Sequence, residues 1–196
     1  MAKVIGDISV SIDGFVAGPD AGPHAGLGDG GDQIHAWVFA GEEADQQALN
    51  RAAEAGAVIM GRNVFDVVNA PDGWKEGMAY GADRDARPPL FVVTSTQPDP
   101  PRIASLYEVT FVTAGLRAAV DQARAAAQGR DVYVMGGGAA VRGCLEAGLL
   151  DQLRLHLSPI IMGVGIPLFD GMSPRQLKQA DVSVSTSAVH ITYDVL

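Results

Sequence analysis

The 196-residue chain predicts an α/β fold with a largely parallel central sheet and a C-terminal antiparallel hairpin. Three observations carry that expectation. Short runs rich in valine, isoleucine and leucine recur along the chain; alanine-rich stretches of strong helix formers separate them; and the last two runs follow one another with no helix between. The length suits a single domain over residues 1–196, and 47% hydrophobic with 19% charged residues is the composition of a chain that folds on its own.

Each element has its own reason. "KVIGDISVS" at 3–11 opens the sheet, followed by "AVIM" at 57–60, "LFVVTS" at 90–95, "EVTFVTA" at 108–114, "DVYVM" at 131–135 and "DQLRLHLSPI" at 151–160. All are β-branched or aliphatic runs of strand length. "EEADQQALNRAAEAG", "LRAAVDQARAAAQG" and "AAVRGCLEAG" read as helices, each closed by a glycine suited to a helix C-terminus. "VSVST" and "VHITYDVL", joined by a short "TSA" connection, form the hairpin. The stretches 18–33 and 69–89 fit neither pattern. Loops of that length in a compact domain tend to serve a site, and both are expected to border the ligand cleft.

Composition excludes several partners. A net charge of -9 repels phosphate backbones and acidic membrane surfaces, so nucleic acid and membrane are not expected partners. The single cysteine, Cys144, supplies neither a disulfide framework nor a cysteine metal cluster. The four histidines lack a metal-binding spacing, and no metal is expected. "MAKVIGDISVSIDG" lacks the apolar core of a signal peptide, which points to the cytoplasm.

Chemistry concentrates at the ends of three strands. "VYVMGGGAAVRG" at 132–143 puts Gly136, Gly137 and Gly138 between a strand and a helix start, where main-chain N–H groups and the helix dipole favour a phosphate. A tight turn without a ligand would use the same residues. "VIMGRNVF" at 58–65 places Gly61 and Arg62 after a buried strand, with a planar guanidinium suited to phosphate. "VVTST" at 92–96 ends in the hydroxyls of Thr94 and Ser95.

The order "SIDGFVAG", "VIMGRNVF", "VVTST", "VYVMGGGAAV" resembles the dihydrofolate reductase-like superfamily. The continuation "EAGLLDQLRLHLSPIIMGVGIPLFDG" is most similar to the reductase, C-terminal, domain of the bifunctional riboflavin-biosynthesis deaminase-reductases. The resemblance implies a three-layer sandwich and an NADPH-dependent oxidoreductase. It assigns Arg62 to the 2'-phosphate side of NADPH, Thr94 and Ser95 to the adenosine ribose, and Gly136, Gly137 and Gly138 to the pyrophosphate, flanked by Gly61, Met135 and Ala139. It also implies a homodimer. Val64 stands where dihydrofolate reductases usually carry threonine, and Val141 where they carry tyrosine. With one cysteine, the chain lacks the zinc deaminase motif of the bifunctional proteins and is expected to be a stand-alone reductase-like domain.

On the substrate side the resemblance points to one acidic residue on the helix before "VIMGR". Asp45 in "EEADQQALNR" matches it and is expected to face the pocket as the catalytic acid, although Glu42, Glu43 and Asp45 also suit the acidic first turn of a helix. His35 and Trp37 suit a flat heterocycle or the packing of a helix on the sheet. His156 lies with Arg154 and Ser158 on the polar face of "DQLRLHLSP", opposite Leu153, Leu155 and Leu157; that face serves a substrate or is solvated. The expected substrate is a pterin-, pyrimidine- or flavin-like heterocycle. A ribosylaminopyrimidine of riboflavin biosynthesis, as for a 5-amino-6-(5-phosphoribosylamino)uracil reductase, is the best-defined case. Arg84 and Arg87 are its only basic candidates for a phosphoribosyl group. The alternatives are a reductase of another small carbonyl compound and a non-catalytic NADPH- or pterin-binding protein.

Overall fold

Every residue of β1, Val4–Ser11, is buried, which a strand achieves only when it is flanked on both edges and covered on both faces. The computed structural model, which describes residues 2–77, 80–85, 87–98 and 101–196, meets both conditions. β1 pairs in parallel with β6 (Val132–Met135) and with β7 (Gln152–Ser158). Beyond β6 lie β3 (Ala57–Gly61), β4 (Leu90–Val93) and β5 (Val109–Val112), all parallel. Beyond β7 lie β10 (Val189–Val195) and β9 (Leu177–Val184), both antiparallel to their neighbours. The eight-stranded order is therefore β5-β4-β3-β6-β1-β7-β10-β9. A second sheet pairs β2 (Phe15–Ala17) with β8 (Ile166–Pro167).

Alternation along the strands divides the core in two. Val4, Ile8, Val10, Ile59 and Val134 face α3 (Leu116–Ala126) and α4 (Gly138–Glu146), which contribute Ala119, Val120, Val141 and Cys144. Ile5, Val58, Met60, Val92 and Tyr133 face the other way, toward Phe65 and Val68 of α2 (Arg62–Asn69), Ile103 of a short 3-10 helix and Ala55 after α1 (Glu43–Ala53). A 3-10 helix, Gly31–Phe39, covers β1 and β7 on that second face through Ile34 and Trp37.

The expected strands and the three alanine-rich helices are present, as is the C-terminal hairpin. The stretch 18–33 runs into the 3-10 helix that begins at Gly31. Within the stretch 69–89, residues 78, 79 and 86 lie outside the described residues. Among the described residues, no helix is long and apolar enough to cross a membrane.

Candidate functional site

Adjacent parallel strands β3 and β6 send their following helices to opposite faces of the sheet, α2 to one and α4 to the other. Two chains leaving a sheet edge in opposite directions open a crevice at the C-terminal ends of the strands, where α/β folds bind ligands. The Gly61–Arg62 and Gly136–Gly138 segments are the two lips. They lie close together: a Cβ on Gly137 would come within 2.7 Å of Val64 Cγ2, and one on Gly61 within 3.6 Å of the Ala140 Cβ.

At one end of the crevice Arg62 is held from two sides. Its Nε donates to Asp66 Oδ1 at 2.7 Å, one helical turn on, and its Nη1 donates to Thr94 Oγ1 at 3.4 Å. The side chain keeps 37% of its surface exposed, so the guanidinium is fixed but still open to solvent. Thr94 is buried, and its hydroxyl donates to Thr96 O at 2.8 Å. Ser95 is exposed. Across the crevice, Gly136 and Gly137 have φ of +42° and +72°, and α4 begins at Gly138, so the first N–H groups of that helix have no partner within it. A Cβ on Gly136 would meet nothing within 4 Å. Met135 and Gly136 are half-buried and Ala139 is exposed. The structure thus brings Gly61, Arg62, Thr94 and the glycine turn to one edge, with the Asp66 carboxylate holding the inner side of the guanidinium. An arginine, a hydroxyl and glycines without side chains fit the phosphates of a dinucleotide such as NADPH.

On the second face of the sheet, beside the glycine turn, lies a buried polar line that spans four elements. Asp7 of β1, whose main-chain oxygen accepts the Gly136 N–H, receives at Oδ1 the Tyr80 hydroxyl at 3.0 Å and faces His156 Nε2 of β7 at 3.3 Å. His156 Nδ1 lies 2.8 Å from His190 Nδ1 of β10, and His190 Nε2 lies 2.8 Å from Asp45 Oδ1 of α1. The Ser185 hydroxyl donates to the same oxygen of Asp45 at 2.8 Å. Trp37 closes the line from above, its ring 4.4 Å from that of His156 and its Nε1–H donating to Ser9 Oγ at 2.9 Å. Burial alone would raise Asp7. The charge and hydrogen bond of His156, the charge of Arg154 and the Tyr80 hydroxyl outweigh it and hold the carboxyl below its ordinary value. Burial pushes Tyr80 well above its ordinary value, so that phenol remains a donor. It pushes His190 down, against the opposing hydrogen bond to Asp45.

The residues expected on the substrate side are therefore brought together, but as an interior network. Asp45 does not line an open cleft: its side chain is 0% exposed. Trp37 and His156 are buried against each other. His35 is half-buried with its Nδ1 enclosed and unpartnered. The polar face of β7 is not solvated, since Gln152, His156 and Ser158 are all buried. Arg84 and Arg87 are turned toward main-chain oxygens, those of Ala55 at 2.6 Å and Leu106 at 3.3 Å. Sequence reasoning missed Asp7 and His190. The available signal for Asp7 was a carboxylate at the centre of an otherwise apolar strand, which burial tolerates only with partners. Of the 69–89 stretch, Tyr80 reaches the polar line. Among the described residues, no three His, Cys, Asp or Glu side chains group as metal ligands.

The profile of the RibD C-terminal domain family matches residues 2–192. The chain belongs to that family. Among solved structures, this RibD C-terminal domain protein is similar to one from Shewanella sp. PV-4 provisionally assigned to riboflavin biosynthesis, with a TM-score of 0.75, 23% identity and 99% of each chain covered. A pyrimidine reductase-like protein from Corynebacterium diphtheriae is similar at a TM-score of 0.67 and 18% identity, over 100% of this chain and 92% of that one. The deaminase/5-amino-6-(5-phosphoribosylamino)uracil reductase of Thermotoga maritima matches all of this chain with 57% of its own, at a TM-score of 0.64 and 14% identity. The uncharacterized protein YyaP of Bacillus subtilis (strain 168) is 22% identical over 97% of this chain and 94% of its own. These likenesses agree on the dihydrofolate reductase-like, three-layer architecture.

Proposed function

We propose that this RibD C-terminal domain protein is an NADPH-dependent reductase that delivers hydride to a C=N or C=O bond of a flat pterin-, pyrimidine- or flavin-like heterocycle. One observation carries the reading: Arg62, bonded to Asp66 and Thr94, stands at one lip of a crevice whose other lip is the Gly136–Gly138 turn. When bound, NADPH supplies the hydride. The protein's own part is alignment and a proton. Arg62 presents the outer edge of its guanidinium to the 2'-phosphate, because Asp66 and Thr94 hold the remainder. Thr94 and Ser95 border the adenosine ribose, and the glycine turn, with Gly61, Met135 and Ala139 at its margins, receives the pyrophosphate. Trp37, His35 and His156 wall the substrate side beside Asp7.

The similarity to a ribosylaminouracil reductase favours a pyrimidine substrate over other heterocycles. Arg84 and Arg87 are engaged by main-chain oxygens, which favours a substrate without a phosphoribosyl group. The reading extends to a single catalytic unit working in the cytoplasm as a homodimer, and light scattering of the purified chain tests the last point.

The cofactor test is a pair of titrations. NADH lacks the 2'-phosphate, so removal of a charge-assisted contact to it weakens NADPH selectively. Hydrogen bonds to charged groups contribute about 1.5 to 3 kcal/mol, so Arg62→Ala raises the NADPH dissociation constant by roughly tenfold to a hundredfold and changes NADH binding much less. Equal loss for both cofactors assigns Arg62 to folding, and no loss for either removes the cofactor reading. NADPH oxidation across a panel of heterocycles then separates a reductase from a binding protein.

A further inference from the structure

Resting on the reductase reading, we propose that the line Asp7–His156–His190–Asp45 stores the proton the reduced substrate receives, with His156 as its holder, Asp7 as the group that hands it on, and Asp45 as a positioning residue acting through His190.

A hydrogen bond between two imidazole nitrogens takes one hydrogen, so the 2.8 Å contact of His156 Nδ1 with His190 Nδ1 holds one. Each outer contact, His190 Nε2 with Asp45 Oδ1 and His156 Nε2 with Asp7 Oδ1, needs one more. Three hydrogens lie on the line, whereas two neutral imidazoles bring two. The third is an additional proton. Both end oxygens already accept a hydroxyl, Asp7 Oδ1 from Tyr80 and Asp45 Oδ1 from Ser185, so both carboxylates act as acceptors and the proton resides on a ring. The central hydrogen lies between the two Nδ1 atoms, and His156 is the ring whose other nitrogen faces Asp7, so His156 holds the proton that Asp7 hands on. Asp45 thereby fixes the tautomer: by accepting from His190 Nε2, it leaves His190 Nδ1 free to accept from His156.

Delivery follows from position. Asp7 retains 7% exposure, and its main-chain oxygen binds the first glycine of the turn. As hydride adds to the carbon of a C=N or C=O bond, the π pair moves onto nitrogen or oxygen. His156 Nε2 gives its proton to the Asp7 carboxylate, and Asp7 passes a proton to that atom, ending as the carboxylate it was. The substrate gains N–H or O–H, and His156 becomes neutral. Reloading has a route as well. A space of about 10 Å³ lies between α1 and β10, lined by Arg51, Arg154, His156, His190 and Thr192, enough for one water in touch with both rings. The charged and titratable groups around His156 are Asp7 and Tyr80, His190, Asp45, His35 of the 3-10 helix, Arg154 of its own strand and Arg51 across that space.

The test needs neither cofactor nor substrate at first. In ¹⁵N-histidine NMR of the folded wild-type protein at about pH 7, three of the four ring nitrogens of His156 and His190 carry a hydrogen; two would overturn the stored proton. Asp7→Asn, whose amide donates to His156 Nε2, reduces the count to two, and Asp45→Asn does so from the other end; an unchanged count in both folded variants also overturns it. With a heterocycle that the panel turns over, Asp7→Asn lowers the rate by roughly 10² to 10⁴, the span of general acid catalysis, and leaves the NADPH dissociation constant unchanged. Wild-type turnover by Asp7→Asn overturns the delivery step. Three protonated nitrogens with no NADPH binding would strike the reductase reading alone.

Discussion

Gly136 and Gly137 both have positive φ, +42° and +72°, yet a side chain at the two positions would meet different surroundings. At Gly136 a Cβ would point into open space, so Gly136→Ala carries only the backbone cost of a left-handed L-residue, about 1 to 2 kcal/mol. At Gly137 the Cβ would also press on Val64 Cγ2 at 2.7 Å, and a β-branched side chain in a helix has little freedom to move aside. Gly137→Ala is therefore expected to lower stability further than Gly136→Ala, and pairing it with Val64→Ala should return part of the loss. Urea unfolding of the three variants checks the order. The same methyl at Gly136 fills the space assigned to the pyrophosphate. Its NADPH affinity should fall even though its stability changes least, and a reversal of that pattern would remove the glycine turn from the cofactor reading. Val64, noted in the sequence as a departure from threonine, is thus the residue against which the glycine turn packs.

At the scale of elements, the eight-residue α2 is too short to hold itself together and depends on what it packs against. Phe65 is 1% exposed and meets Phe111 edge to face at 5.2 Å, and Val68 lies in the same cluster. Phe65→Ala should cost about 3 to 5 kcal/mol by removing a buried aromatic ring. Because Arg62 and Asp66 sit on that helix, NADPH affinity should fall with it, whereas Phe65→Leu should retain most of both. Chemical denaturation alongside cofactor titration reads the two effects together; retained NADPH affinity in a folded Phe65→Ala variant would show that Arg62 does not depend on this packing. The main strands and three helices were legible because their periodicity is local. The positions of the glycine turn and of Arg62 were legible because each directly follows an apolar run of strand length. The β2–β8 pair was not, since three residues facing two carry no periodic signal. Nor was the polar line: His156 and His190 are opposite each other in an antiparallel register set by a pairing 34 residues apart, and their spacing in the sequence says nothing of it.

Over the whole molecule, the enclosed imidazoles couple folding to pH. His35 is pushed below its ordinary value of 6.5 first by burial and then by the charge of His156, and its Nδ1 has no partner. In the unfolded chain the same ring takes a proton near 6.5. As pH falls below 6.5 the unfolded state therefore binds more protons than the folded one, and stability falls with pH. The His35 contribution is complete above 6.5 and is lost through the window between 6.5 and its lower folded value. His190, depressed mainly by burial, adds a loss of the same sign in the same region. Asp7, also depressed, acts later: its contribution is complete above 3.8 and is lost as pH falls through its folded value. The urea midpoint should thus decline in two steps on acidification, one beginning near 6.5 and one below 3.8. His35→Gln removes a titrating ring but keeps a polar side chain, so it should flatten the first step and leave the second in place. A wild-type first step that survives unchanged in His35→Gln would remove His35 from that account. An unfolding midpoint that stays constant from about pH 8 to pH 5 would mean that neither imidazole is held neutral by the fold.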